Sequence, residues 1–294
     1  MKADNLRDVR ITVDAWLPPE MAERAESIGV KKAGLDFLTM LVLGILAGAF
    51  IGLGALFSTT VTASPLPFSV NRLLGGLAFS LGLILVIVAG AELFTGNNLI
   101  VMAWANKRVT TARLLRCWAI VYVGNLIGAV ATAGLVFLSK QYSFGAGAVG
   151  KNALTIAQNK CNLGLVEAVT LGILCNVLVC LAVWLCYSAR TTTDKVVSII
   201  FPITAFVAAG FEHSVANMYF IPAGLLIKTF APPEYWNLIH DSASSYAALT
   251  WMGFLRNLVL VTLGNTFGGS LMVGLVYWFT YLRKASQPDA SDGA

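Results

Sequence analysis

Long apolar stretches, separated by short polar segments, make up most of this chain. A membrane-spanning helix needs about 20 predominantly apolar residues. Four stretches meet that length without interruption, at residues 35–57, 118–138, 163–187 and 258–281. Two more, at residues 73–102 and 196–227, are long enough but contain glycine and ionisable residues near their middle. The pattern therefore predicts an all-α membrane protein with six spans, of which the second and fifth are broken.

The composition agrees with a lipid environment. Hydrophobic residues make up 57% and charged residues 12% of the 294 residues, which inverts the balance of a soluble domain. Lys and Arg are concentrated in alternate loops, and positively charged loops stay in the cytoplasm. This places both termini on the cytoplasmic side of a bacterial inner membrane. The net charge of +5 follows from that bias, and no basic patch with interleaved aromatic residues suggests a nucleic-acid partner.

The pattern divides the chain into three parts. Residues 1–34 are predicted to form a cytoplasmic amphipathic segment, whose helix begins at Pro18-Pro19-Glu20 and continues from Met21 to Lys32. Residues 35–283 form the six-span transmembrane domain, and residues 284–294 form a cytoplasmic tail.

The two halves of the chain carry matching motifs in the same order. Span 2 contains Ala89-Gly90, one residue, Glu92 and then Asn97; span 5 repeats this spacing with Ala209-Gly210, Glu212 and Asn217. Gly-Asn pairs at Asn125 and Asn265 match in spans 3 and 6, and glycines at four-residue spacing predict close helix packing. Three spans per repeat is an odd number, so the repeats must be inverted, and such proteins bind their substrates near the midplane at the broken helices.

Ionisable residues at membrane depth are costly and require a partner or a function. We interpret Glu92 and Glu212 as structural, with each carboxylate accepting hydrogen bonds from backbone N–H groups freed by the break. His213 lies inside the second break, and because the histidine side chain ordinarily titrates near neutral pH, it is the candidate for proton exchange. The five cysteines have no metal-type spacing, so we expect packing roles for them, no metal site and no cofactor.

An anion suits these breaks, because half-helix N-termini offer partial positive charge and free N–H donors. Thr95 adds a hydroxyl. The residues leave two roles open for the buried amides of Asn125, Asn176 and Asn265: donating to a permeant ion or tying helices together. Lys160 either raises the local anion concentration or is a solvated loop residue.

At these positions the sequence resembles the formate/nitrite transporter family. The segment AGAELFTG at residues 89–96 is similar to the first family signature, and GILCNVLVCLA at residues 172–182 is similar to the second. The segment GFEHSVAN at residues 210–217 is similar to the motif around the family's central histidine. The resemblance extends over essentially the whole chain.

The resemblance implies an aquaporin-like protomer in a homopentamer, with one pore in each protomer. It implies one hydrophobic constriction formed by Phe79, Leu83 and Leu93, and another to which Phe206 contributes. It further implies that the anion contacts Thr95 and His213 and crosses the constriction as the neutral acid, after protonation assisted by the histidine. The supporting pathway residues are Lys160, Asn176, Glu212 and Asn217.

Formate is the predicted cargo, with nitrite as the alternative and hydrosulfide or lactate less favoured. Glu92-Leu93-Phe94-Thr95-Gly96 replaces the Asp-Leu-Phe-Thr-Ser of some formate channels and also occurs in nitrite transporters of the family, which leaves the cargo open. An enzyme would need a nucleophile with its base, a metal cluster or paired carboxylates, and the spans offer one histidine with no second ligand. A neutral-solute channel of the aquaporin type would carry Asn-Pro-Ala motifs, which are absent from the sequence.

Overall fold

The computed structural model describes residues 15–283, so residues 1–14 and the predicted tail at 284–294 lie outside the described part. The helices are α1 (Pro18–Ala33), α2 (Phe37–Val61), α3 (Phe68–Leu85), α4 (Val101–Ala105), α5 (Thr111–Leu138), α6 (Ala148–Asn162), α7 (Leu165–Ser188), α8 (Thr192–Ala209), α9 (Ser214–Phe230), α10 (Pro233–Leu238) and α11 (Trp251–Thr266). A π-helical turn, Val86–Gly90, extends α3, and a 3₁₀ turn, Gly96–Ile100, leads into α4. Two π-helical segments, Phe267–Leu275 and Trp278–Leu282, continue α11.

Six of the described helical segments are long and apolar enough to cross a membrane, which agrees with the six predicted spans. Spans 3 and 6 begin earlier than their apolar stretches indicated, at Thr111 and Trp251. Threonine caps explain both extensions, since Thr110 accepts from the Arg113 N–H and Thr250 accepts from the Gly253 N–H.

The two predicted breaks are present. Gly90 and Gly210 end the first half of each broken helix with φ angles of 84° and 80°, in the left-handed region that glycine adopts without a steric penalty. The chain then runs extended before the second half-helix begins. The halves differ here, because the first break is followed by a 3₁₀ turn and the short α4, whereas the second is followed by the 17-residue α9.

Glycine pairs bring the helices of each repeat into close contact, as predicted. A Cβ on Gly44 in α2 would lie 3.3 Å from the Cα of Gly124 in α5. The equivalent Cβ on Gly172 in α7 would lie 3.2 Å from the Cα of Gly264 in α11. The near-equality of these distances shows that both repeats are built around the same helix crossing.

Helix α1 begins and ends within one residue of its predicted bounds. Its buried face, which includes Met21, Ala25 and Gly29, packs beneath the first break and α4. Lys32, in its last turn, is thereby brought toward Glu92.

Candidate functional site

Two cavities of about 430 Å³ each open near the two breaks. The Lys160 cavity is lined by residues that include Arg72, Phe79, Lys160, Phe206, Glu212 and His213. The Lys32 cavity is lined by residues that include Lys32, Leu83, Glu92, Leu93, Gly96 and Asn97. None of the described residues lines both cavities, so a packed layer of side chains separates them.

Four apolar side chains form much of that layer, and each is at most 3% exposed. Leu83 and Leu93 face the Lys32 cavity. Phe79 instead faces the Lys160 cavity and packs edge-on against Phe206, with 5.5 Å between ring centroids. The structure thus groups Phe79 with Phe206, whereas the resemblance grouped it with the two leucines.

Thr95 and His213 meet in the interior, and both are almost fully buried. The Thr95 hydroxyl lies 2.9 Å from Nε2 of His213. Nδ1 of His213 accepts a hydrogen bond of 3.0 Å from the Ala216 N–H and so caps α9. Because Nδ1 acts as an acceptor, the neutral ring carries its proton on Nε2, and this N–H points at Thr95. The Thr95 oxygen therefore accepts from Nε2–H of His213, and the hydroxyl proton of Thr95 is not used in this contact.

The two glutamates do not brace the broken backbone, which corrects the interpretation of their role. Both Glu92 oxygens lie 3.0 Å from the Lys32 ammonium, and Asn97 donates to one of them at 2.7 Å. Glu212 accepts from Lys160 at 2.8 Å and from Asn217 at 2.7 Å. Among the described residues, neither carboxylate accepts from a backbone N–H, because a charged lysine is the stronger partner for a buried carboxylate.

Two asparagines satisfy part of the backbone that the breaks free, while the Glu92 and Glu212 N–H groups donate to the carbonyls of Leu43 and Leu171. Asn125 accepts from the Phe94 N–H at 2.9 Å and donates to the carbonyls of Gly44 and Glu92 at 2.8 and 2.9 Å. Asn265 repeats all three bonds in the second half, with Ser214, Gly172 and Glu212, at 2.7 to 2.9 Å. A primary amide can do this because it is both donor and acceptor, whereas a carboxylate is only an acceptor. Of the two roles left open for the buried amides, these bonds show that Asn125 and Asn265 tie helices together.

Asn176 and Asn217 line neither cavity. Asn176 donates to Asn98 and to the carbonyl of Asn265 at 2.8 and 2.7 Å, and thereby joins the two halves. Asn217 bridges Glu212 and Asn257. Lys160 is not a solvated loop residue, since it lies in α6 with its side chain 14% exposed.

Lys32 and Arg72 are two charged residues that the sequence interpretation missed. The repeat carried a signal for Lys32, because it precedes Gly44 by the same interval that separates Lys160 from Gly172. No such signal marks Arg72, which reaches the second break from the start of α3.

The cysteines and the possible metal ligands complete the description of the sequence candidates. All five cysteines are buried and unpaired. The described residues contain no cluster of three or more His, Cys, Asp or Glu side chains that could hold a metal ion.

An inverted-repeat bundle with a cavity at each break, and a buried hydroxyl–imidazole pair that joins the two breaks, defines a membrane protein that moves a small solute between two compartments. The chain belongs to the formate/nitrite transporter family, whose sequence model matches residues 19–279.

Relatives and solved structures agree with this assignment. The chain is 46% identical over 287 residues to the formate channel FocA of Escherichia coli K12, covering 97% of this chain and 99% of that protein. It is 42% identical to FocA of Haemophilus influenzae, covering 89% and 93% of the two chains. A solved pentameric formate channel with formate bound matches with a TM-score of 0.80 and 44% identity, over 84% of this chain and 98% of the other.

Proposed function

We propose that this protein is a formate channel of the inner membrane, which assembles as a homopentamer with one pathway in each protomer. The observation that carries the proposal is the contact between Thr95 and His213, which joins two breaks that each lie beside a cavity containing a lysine. The similarity to formate channels, one of them pentameric with formate bound, supports both the cargo and the assembly.

The pathway runs from one cavity to the other past the buried pair. Lys32 and Lys160 draw a monovalent anion into their cavities, although the paired glutamates neutralise part of their charge. At the apolar layer of Leu83, Leu93, Phe79 and Phe206, no charged side chain of the described residues is available to replace water around a formate ion. Formic acid loses much less hydration there, so the neutral acid is the species that crosses.

His213 and Thr95 assist this step by receiving the carboxylate. A formate oxygen takes the Nε2–H of His213 and the hydroxyl of Thr95 in place of the hydrogen bond that these two groups make to each other. The carboxylate held there takes up a proton from hydronium in the water of the source compartment, which leaves a water molecule, and the resulting formic acid enters the apolar layer while His213 keeps its Nε2 proton. This coupling makes net formate movement increase as the pH of the source compartment falls.

The lysine and arginine distribution supports an orientation in which the Lys32 cavity and both termini face the cytoplasm. Helix α1 then lies at the cytoplasmic surface beside that cavity, where Arg24, Lys31 and Lys32 contribute to its lining. Residues 35–283 constitute the channel domain.

A flux comparison tests the proposal. The purified protein in proteoliposomes is supplied with formate, nitrite, hydrosulfide or acetate at pH values from about 5 to 8, the range in which histidine titrates. We expect formate to move fastest and its uptake to rise toward low pH. Faster nitrite or hydrosulfide flux would reassign the cargo within the family, and no flux of any small anion would overturn the transport function.

A further inference from the structure

Arg72 occupies a distinctive place in the Lys160 cavity. It lies in the second turn of α3, yet its Nε donates at 2.8 Å to the carbonyl of Ala208, at the end of α8. Gly210 accommodates the guanidinium, since a Cβ there would lie 2.7 Å from Nη2. The matching glycine of the first half, Gly90, has nothing within 4 Å of such a Cβ. Arg72 is therefore an addition to the second break that the repeat does not require.

The terminal nitrogens of Arg72 are left available. Its Nε bond to Ala208 is the one hydrogen bond that the guanidinium makes among the described residues, and no carboxylate of those residues lies within 4.0 Å. Arginine presents five N–H donors in a planar fork, so four of them remain for a ligand. The bond at Nε fixes the plane of the fork, and Arg72 lines the cavity.

The charges around it single out Arg72 further. Of the cations that line the Lys160 cavity, Lys160 is neutralised by Glu212 at 2.8 Å. Glu167, the other acidic residue of the lining, is exposed and caps the start of α7 through the Gly164 N–H. Among the described residues that line the Lys160 cavity, Arg72 is thus the cation that has no carboxylate within 4.0 Å.

We propose that Arg72 binds the carboxylate of formate in the Lys160 cavity, through its terminal guanidinium nitrogens, before the anion reaches His213. A planar fork matches the two oxygens of a carboxylate, and the two N–H···O bonds add specificity as well as affinity. The inference rests on the proposed formate channel and assigns the residue that captures the anion on the Lys160 side. It predicts selectivity for two-oxygen anions over hydrosulfide, which offers a single acceptor atom.

The test is uptake into proteoliposomes as a function of substrate concentration, for wild type, Arg72→Lys, Arg72→Gln and Arg256→Gln. Arg256 is an exposed residue of α11 that lines neither cavity, so it controls for loss of one arginine charge. We expect Arg72→Gln to raise the apparent KM for formate about tenfold at low ionic strength, with a maximal rate within about twofold of wild type. Arg72→Lys keeps the charge but loses the planar fork. It should raise the apparent KM for formate several-fold and leave the apparent KM for hydrosulfide unchanged.

Two results would overturn the assignment of Arg72. One is an unchanged KM for formate in both variants; the other is an equal loss of formate and hydrosulfide flux, which would mean that Arg72 only holds the end of α8. Failure of the proposed function is distinguishable, because wild type itself would then move no formate.

Discussion

The hydroxyl of Thr95 and Nε2 of His213 lie 2.9 Å apart, although the two residues are 118 positions apart in the chain and belong to different broken helices. In the repeat, His213 corresponds to Leu93 and Thr95 corresponds to Val215. The polar contact therefore exists because the two halves differ at these positions. The hydrogen bonds that Asn125 and Asn265 make around the two breaks, by contrast, match between the halves.

Replacement of His213 by asparagine tests the proton-coupled step. Asparagine is a favoured N-cap, so its side-chain oxygen should replace Nδ1 as acceptor for the Ala216 N–H and leave α9 intact. The imidazole Nε2–H that receives the carboxylate is lost, and we expect formate uptake to weaken and its rise toward low pH to flatten. Uptake with wild-type rate and pH dependence in liposomes would contradict a role for His213 in protonation.

Replacement of Thr95 by valine removes the hydroxyl at nearly constant volume. The Nε2–H of His213 then loses its partner inside the protein, and an unsatisfied buried donor costs about 1–3 kcal/mol. We expect a lower melting temperature in detergent and reduced formate flux. Thr95→Ser, which retains the hydroxyl, is the matched control and should keep most of the flux; equal flux from the valine and serine variants would exclude the hydroxyl from the pathway.

Replacement of Asn125 or Asn265 by leucine tests whether these two asparagines stabilise the two breaks equally. Each substitution removes three buried hydrogen bonds, two to a break and one to a neighbouring helix, which corresponds to about 3 kcal/mol of unfolding free energy at about 1 kcal/mol per bond. We expect similar losses at the two sites because the bonds match. Asn162→Leu, at an exposed position, should change stability little. A large loss at one site alone would refute the equivalence of the two breaks.

The Lys160–Glu212 pair is suited to a double-mutant cycle. Both side chains are largely buried, so Lys160→Met leaves an uncompensated carboxylate and should cost about 3 kcal/mol or more. Adding Glu212→Gln removes that charge, and Gln can still accept from Asn217, so the double variant should unfold at a higher temperature than Lys160→Met alone. Additive losses would show that the two residues are not coupled.

Several features of this protein follow from the sequence alone. The lengths of the apolar stretches predict six spans, because the thickness of the bilayer's hydrocarbon core sets the length of a helix that crosses it. The Ala-Gly-x-Glu spacing located both breaks, because glycine is the residue that adopts the positive φ angle that ends Val86–Gly90 and α8. The matched motifs and an odd number of spans required inverted repeats.

The tertiary structure decided which groups satisfy one another at those breaks. The spacing predicts that Glu92 and Glu212 accept from the freed backbone. Instead, the Phe94 and Ser214 N–H groups donate to Asn125 and Asn265, and the two carboxylates accept from Lys32 and Lys160. Arg72 reaches Ala208 across 136 positions of the chain. Sequence spacing reports which residues share one helix, whereas partners on different helices are set by the packing that brings those helices together. A buried polar group bonds to whichever complementary group that packing places within reach.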